Sequence, residues 1–156
     1  MEEAGKVGTQ EKMEPIHISA AIVAGNNRQI IASTRGHKIL MDVRKERGGD
    51  DVAPTPPEYL AIALGGCIFN ICRLLLMEKQ MELRDLRVSI TGDVDPSRAF
   101  GLCTENRAGF SQLSADVELA SQLSESEKEA FRQELLVRCP LCDTMSNPTP
   151  LQVRVA

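Results

Sequence analysis

Five cysteines stand in a 156-residue chain with only two histidines, His17 and His37, and no tryptophan. Two of the thiols have neighbours that suit chemistry. Cys67 closes the run Pro57-Glu-Tyr-Leu-Ala-Ile-Ala-Leu-Gly-Gly-Cys67, and Cys139 opens Cys-Pro-Leu-Cys142 directly after Arg138. The thiolate is the nucleophilic form, and a nearby cation or a helix N-terminus raises its fraction. Cys67 in an apolar segment reads first as a small packed hydrophobe, since free cysteine is among the most buried residue types. Should it react, an arginine is the expected stabiliser, because a Cys-His pair needs His17 or His37 to leave its strand face for the helix.

Cys139 is the sharper signal when read alone. Pro140 makes it a boundary residue, and Cys142 completes a CxxC. Three readings compete for this pair: a thioredoxin-like dithiol, half of a zinc site, or one reactive thiol with an incidental neighbour. Zinc needs two further ligands. Cys67 and Cys72, five apart, stand about 140° from each other around a helix and share a metal poorly. A thioredoxin fold carries its CxxC near the start of a βαβ unit, whereas this one falls near the end of the chain. No Walker loop, GxGxxG, HExxH or serine elbow occurs, so nucleotide and metalloprotease chemistry are without support.

The elements that must position these thiols are legible from periodicity and punctuation. Residues 1–14 are polar and read as a mobile tail, leaving 15–156 as a single domain. Strands are expected over 16–23, 28–33 and 37–43, separated by Gly25-Asn-Asn27 and Gly36. After the loop Gly48-Gly-Asp-Asp-Val-Ala-Pro54, Thr55 caps a helix with Pro56 at its first position and Glu58 completing a capping box. That helix runs to about Gln80 and is apolar around most of its girth, the mark of a central, buried helix. Gly65 and Gly66 cost it roughly 1 kcal/mol each in propensity, which close approach by a second helix or a second subunit would offset. Alternating strands follow at 86–92 and 113–119, with Cys103 in an irregular segment between them. Ser124 and Glu127 form a second capping box for a helix to about Val137, and a final strand covers 151–155. Strands, long helix, strands, helix and strand make the fold class α+β.

Bulk composition excludes several functions. A hydrophobic share of 42% with 26% charged residues is that of a soluble globular protein. A net charge of -4 and 3% aromatic content offer neither a basic stripe nor stacking rings for nucleic acid. The N-terminus lacks the apolar core of a signal peptide, and the longest apolar stretch is interrupted by Gly65, Gly66, Asn70 and Arg73, so no membrane partner is expected. The placement is cytoplasmic, where an odd set of cysteines reads as reactive or metal-binding rather than as a disulfide framework.

The segment from Gly48 to Cys67, followed by a late Cys139-Pro140, resembles the OsmC/Ohr family. Arg35-Gly-His-Lys-Ile-Leu-Met-Asp42 is similar to the strand that leads into this helix in the OsmC-like branch. The resemblance spans about residues 16 to 155. It implies an α+β fold with antiparallel sheets packed around long central helices, in an intertwined homodimer with two active sites at the subunit interface. It implies a thiol peroxidase for organic hydroperoxides, sometimes hydrogen peroxide, that uses no cofactor and no metal. Carried over, Cys67 is the peroxidatic thiolate and Cys139 the resolving cysteine. Their disulfide is reduced by an external dithiol, a lipoyl group in the Ohr branch. In that branch an arginine from the N-terminal strands stabilises the thiolate and pairs with a glutamate before the helix. Glu58 matches the glutamate, and Arg28, with Arg35 as the alternative, matches the arginine. Cys142 stands where the family commonly has another residue, so Cys142 replacing or assisting Cys139 stays open, and Cys72 and Cys103 have no family role. The competing reading on the same fold is a redox-sensing or ligand-binding protein without peroxidase turnover.

Overall fold

A computed structural model describes residues 13–81, 85–102, 105–119 and 123–155. Of the expected tail, residues 1–12 lie outside that set, and Cys103 does too. The chain groups into two compact units, Met1–Pro54 and Thr55–Ala156.

In the first unit, β-branched residues separated by turn formers fold into an antiparallel meander of β1 (Ala21–Ala24), β2 (Ile30–Thr34) and β3 (His37–Met41), in that spatial order. Arg35 and Gly36 form the β2–β3 turn, with φ of +47° and +81°. Both central residues left-handed is the two-residue hairpin geometry whose twist matches the strands. The first strand is shorter than the expected 16–23, because its ladder ends where Ala21 pairs with Ser33. Beyond that point the Thr34 hydroxyl donates to the Ser19 carbonyl at 2.8 Å. His17 accordingly falls outside β1.

The loop after β3 is organised around Asp42, the one buried charged residue among those described. Its carboxylate accepts from the backbone N–H of Val43 at 2.7 Å and of Val52 at 3.0 Å. The Val52 bond leads in holding the carboxyl below its usual range; burial opposes it, and the Val43, Asp50 and Asp51 amides add to the lowering. Gly49 is required here, since a Cβ would lie 1.7 Å from the Val43 carbonyl oxygen.

The second unit is built on α1 (Pro56–Glu78), β4 (Arg87–Asp93), β5 (Gln112–Glu118), α2 (Glu125–Arg138) and α3 (Pro140–Ser146). The N-terminus of α1 carries the expected capping box: Glu58 Oε2 accepts from the Thr55 amide at 2.7 Å and the Thr55 hydroxyl at 2.9 Å. Leu64, Ile68, Cys72, Leu75 and Leu76 form a single buried stripe on α1. It packs with Phe131 and Leu135 of α2 and with Cys139 and Cys142, while Val88 and Ile90 of β4 lie against the same cluster. Each leucine so buried contributes about 1.5–3 kcal/mol.

Two expectations about α1 change. The helix is buried on one face rather than on most sides: Ile62 is 56% and Met77 64% exposed. The close neighbour of Gly65 is the Ile90 side chain on β4, 3.2 Å from where a Cβ would stand, while Gly66 has open space around it. Among the described residues α1 is also the one helix long and apolar enough to cross a membrane, by length and composition alone. Its stripe, packed on β4, α2 and α3, is that of a core helix.

The expected strand over 151–155 does not form. Leu151, Val153 and Val155 alternate as a strand would, yet all three are exposed and the segment is in no ladder. A strand exists only where another backbone edge supplies its hydrogen bonds.

Candidate active site

Cys67 lies on α1 at the margin of the buried stripe, half-buried beside Leu64 and Ile68. Cys139 is the residue at which α2 ends and α3 begins, with φ −84° and ψ 111°. Pro140 is the local cause. Its ring disfavours helical backbone in the residue before it, and its own missing N–H is harmless at the first position of a new helix. The break buries Cys139 to 1% exposure. There its thiol lies 3.4 Å from the Cys67 sulfur and donates to it. Two residues 72 apart in the chain are thus in sulfur–sulfur contact, about 1.4 Å longer than a disulfide bond.

Within its own unit, the surroundings of Cys67 disfavour the thiolate. Burial pushes its pKa up, the Leu141 backbone N–H pulls it back, and the hydrogen bond and charge of Cys139 push it up again. None of these groups is a cation. Arg138, adjacent to Cys139 in sequence, is committed elsewhere: its guanidinium holds Glu78 in two bonds of 2.7 Å. That fork ties the end of α2 to the end of α1 and holds the Glu78 carboxyl below its usual range. The clamp was not legible in the sequence, because nothing in the spacing of Glu78 and Arg138 signals a pair.

The other thiols are arranged around Cys139. Cys72 is fully buried, its pKa pushed up to about 11 by burial first and then by the charge of Cys139. Cys142, one helical turn beyond Cys139, is 9% exposed. It lines a cavity of about 800 Å³ whose walls include Leu64, Ile68, Leu113, Phe131 and Leu135; neither Cys67 nor Cys139 lines it. The four described cysteines are free, and among the described residues no three His, Cys, Asp or Glu side chains converge on a point that could hold a metal.

Of the remaining candidates, Glu58 sits in the first turn of α1. It lies nine residues before Cys67, about 13 Å along the helix axis, and its carboxylate closes the N-cap. Arg28 and Arg35 belong to the first unit. Arg28 is exposed, with its guanidinium against Gly48, which has a φ of +83°. Arg35 is the first of the two left-handed residues of the β2–β3 turn.

A mixed helix and antiparallel-sheet protein with a half-buried helix thiol against a buried one defines a class of α+β proteins with paired cysteines. Comparison with known proteins gives the family. A profile described as OsmC-like protein matches residues 48–154, and the chain belongs to that family. Solved structures agree on the fold. An OsmC-like protein from Mycoplasma pneumoniae superposes with a TM-score of 0.72 at 20% identity, covering 85% of this chain and 89% of its own. An organic hydroperoxide resistance protein OsmC from Legionella pneumophila, described also as a predicted redox protein, gives 0.65 at 18%, covering 85% and 91%. An organic hydroperoxide resistance protein from Vibrio cholerae, with captopril bound in one of its active sites, gives 0.57 at 23%, covering 88% and 90%. Comparison with curated proteins finds no match.

Proposed function

We propose that this protein is a redox stress protein acting as a thiol peroxidase on organic hydroperoxides. The 3.4 Å contact between Cys67 and Cys139 carries the reading. The Cys67 thiolate attacks the outer peroxide oxygen, the O–O bond breaks, and an alcohol leaves as Cys67 becomes a sulfenic acid. The Cys139 thiol then attacks that sulfur, water leaves, and a Cys67–Cys139 disulfide forms. An external dithiol, a lipoyl group among the options, returns both to thiols by exchange. The half-buried position of Cys67 admits a small hydroperoxide, and the organic hydroperoxide resistance described for the Legionella and Vibrio relatives is the function this chemistry serves.

Burial and Cys139 both raise the Cys67 pKa, so the reading needs a cation to populate the thiolate. The family resemblance puts Arg28 forward for that role, with Arg35 as alternative and Glu58 as its carboxylate partner. The protein acts as a homodimer with its sites at the subunit interface. The exposed apolar face of α1 at Ile62 and Met77, and the alternating exposed segment 151–155, support a partner copy that covers the first and pairs the second as a strand. The setting proposed is cytoplasmic, where a reducing environment keeps such thiols available between turnovers.

One equivalent of cumene hydroperoxide is expected to consume two thiols per chain and to link Cys67 to Cys139 in a peptide map. A map with Cys67 untouched sinks the reading. The raised pKa of Cys67 favours a second reading, a redox sensor on the same fold. Slow stoichiometric oxidation without turnover, in the presence of several dithiols, is its signature.

A further inference from the structure

The geometry points to Cys142 as a third redox-active thiol that takes over the disulfide from Cys67 and presents it on a different face of the protein. Cys139, Pro140, Leu141 and Cys142 are the N-cap and first three residues of α3. Side chains at the N-cap and the third helical position are natural partners, as every capping box shows. Residues three apart on a helix stand about 5–6 Å from one another, within the span a disulfide bridges. Cys139 thus has one thiol in contact, Cys67 at 3.4 Å, and a second, Cys142, three residues along at the third position of α3.

Burial gives the exchange a purpose. In a Cys67–Cys139 disulfide the Cys139 sulfur is closed to any external thiol, at 1% exposure, and attack is confined to Cys67, the atom the peroxide itself must reach. Cys142 lines the cavity of about 800 Å³ that neither of the other two sulfurs lines. Transfer moves the reducible bond to that cavity and frees Cys67 for the next peroxide. The step balances without a further reagent. The Cys142 thiolate attacks the Cys139 sulfur, a Cys139–Cys142 bond forms, the Cys67–Cys139 bond breaks, and Cys67 leaves as the thiolate, taking up the proton Cys142 has lost. An external dithiol then attacks Cys142 from the cavity and, through a mixed disulfide, restores Cys139 and Cys142 as thiols while becoming a disulfide itself. The relay takes its first disulfide from the peroxidase reading, but the dithiol pair can be tested apart from it.

The test without peroxide equilibrates the full-length protein with graded mixtures of oxidised and reduced dithiothreitol, followed by acid quench, alkylation and peptide mapping. A Cys139–Cys142 link is expected in the wild-type chain and in Cys67→Ser. Cys142 alkylated at every ratio in both proteins overturns the relay. The second test adds one equivalent of cumene hydroperoxide and quenches over time. The Cys67–Cys139 link is expected first and the Cys139–Cys142 link later. In Cys142→Ser the first link accumulates, and its reduction by dihydrolipoamide slows by about tenfold or more. A Cys67–Cys139 link that persists in wild type, with Cys142→Ser reduced at the wild-type rate, overturns the proposal. Failure of the peroxide to oxidise Cys67 overturns the peroxidase reading instead, and the dithiothreitol equilibrium still decides the relay.

Discussion

At the scale of single residues, the active-site reading rests on how differently four thiols are surrounded. Cys67 is half-buried and in sulfur contact with a neighbour, Cys139 and Cys72 are sealed, and Cys142 opens on a cavity. Cys67→Ser is expected to lower cumene hydroperoxide consumption by roughly a thousandfold or more, measured in a coupled dithiol assay. Cys72→Ser is expected to leave that rate within about twofold while lowering thermal stability, because it puts a hydroxyl in an apolar, fully buried site. The assigned arginine has its own readout. In the role proposed for it, Arg28 would counter the burial and Cys139 contributions that raise the Cys67 pKa, beyond what the Leu141 N–H offsets. Arg28→Ala is therefore expected to move the midpoint of Cys67 alkylation to higher pH and to leave Cys142 alkylation unmoved; an unmoved Cys67 midpoint shifts the assignment to Arg35. Asp42 gives a pH effect of opposite origin. Its carboxyl is held low by amides, led by Val52, so the stability it confers is complete above the unfolded carboxylate value and is lost as pH falls through the lower folded value. Unfolding midpoints in denaturant should fall on acidification below about pH 4 in wild type, and less steeply in Asp42→Asn.

At the scale of elements, the two capping boxes and the Cys-Pro break were readable because they are local. Thr55–Glu58 and Ser124–Glu127 satisfy orphan amides within one helical turn, and both stand as the spacing implied. Thr55→Ala is expected to cost about 1 kcal/mol, measured by denaturant unfolding. Gly65 is different. Its value was visible, but its neighbour was not: a strand side chain, Ile90, lies where a second helix or subunit was expected. Gly65→Val is expected to destabilise the protein by about 1–3 kcal/mol through overpacking, and Ile90→Ala in the same chain to recover part of that loss. Strand ends shifted by a few residues because ladder length is set by the partner. β1 stops at the Ala21–Ser33 pair although Ile16 and Ile18 have the right composition.

For the whole molecule, what stands out is the apolar surface that one chain leaves uncovered. Ile62 and Met77 on α1 and the alternating residues from Leu151 to Val155 are exposed, although their pattern is that of buried structure. The proposed homodimer would account for both. Sedimentation is expected to return twice the 17.1 kDa chain mass, and Ile62→Asp with Met77→Asp is expected to shift the protein towards single chains. A monomeric wild-type protein at micromolar concentration would overturn the interface reading.

Sequence by itself determined the α+β class, the starts of α1 and α2, the chain break at Gly36, the boundary at Cys139-Pro140 and the two thiols worth attention. Each depends on backbone preferences and hydrogen bonds that close within a few residues. Only the tertiary structure decided that Cys67 and Cys139 touch, that Arg138 is held by Glu78, and that Cys142 lies on a different cavity from either. Those facts depend on how α1 packs against α2 and α3, and packing is settled by the sum of many side-chain contacts that no local pattern encodes.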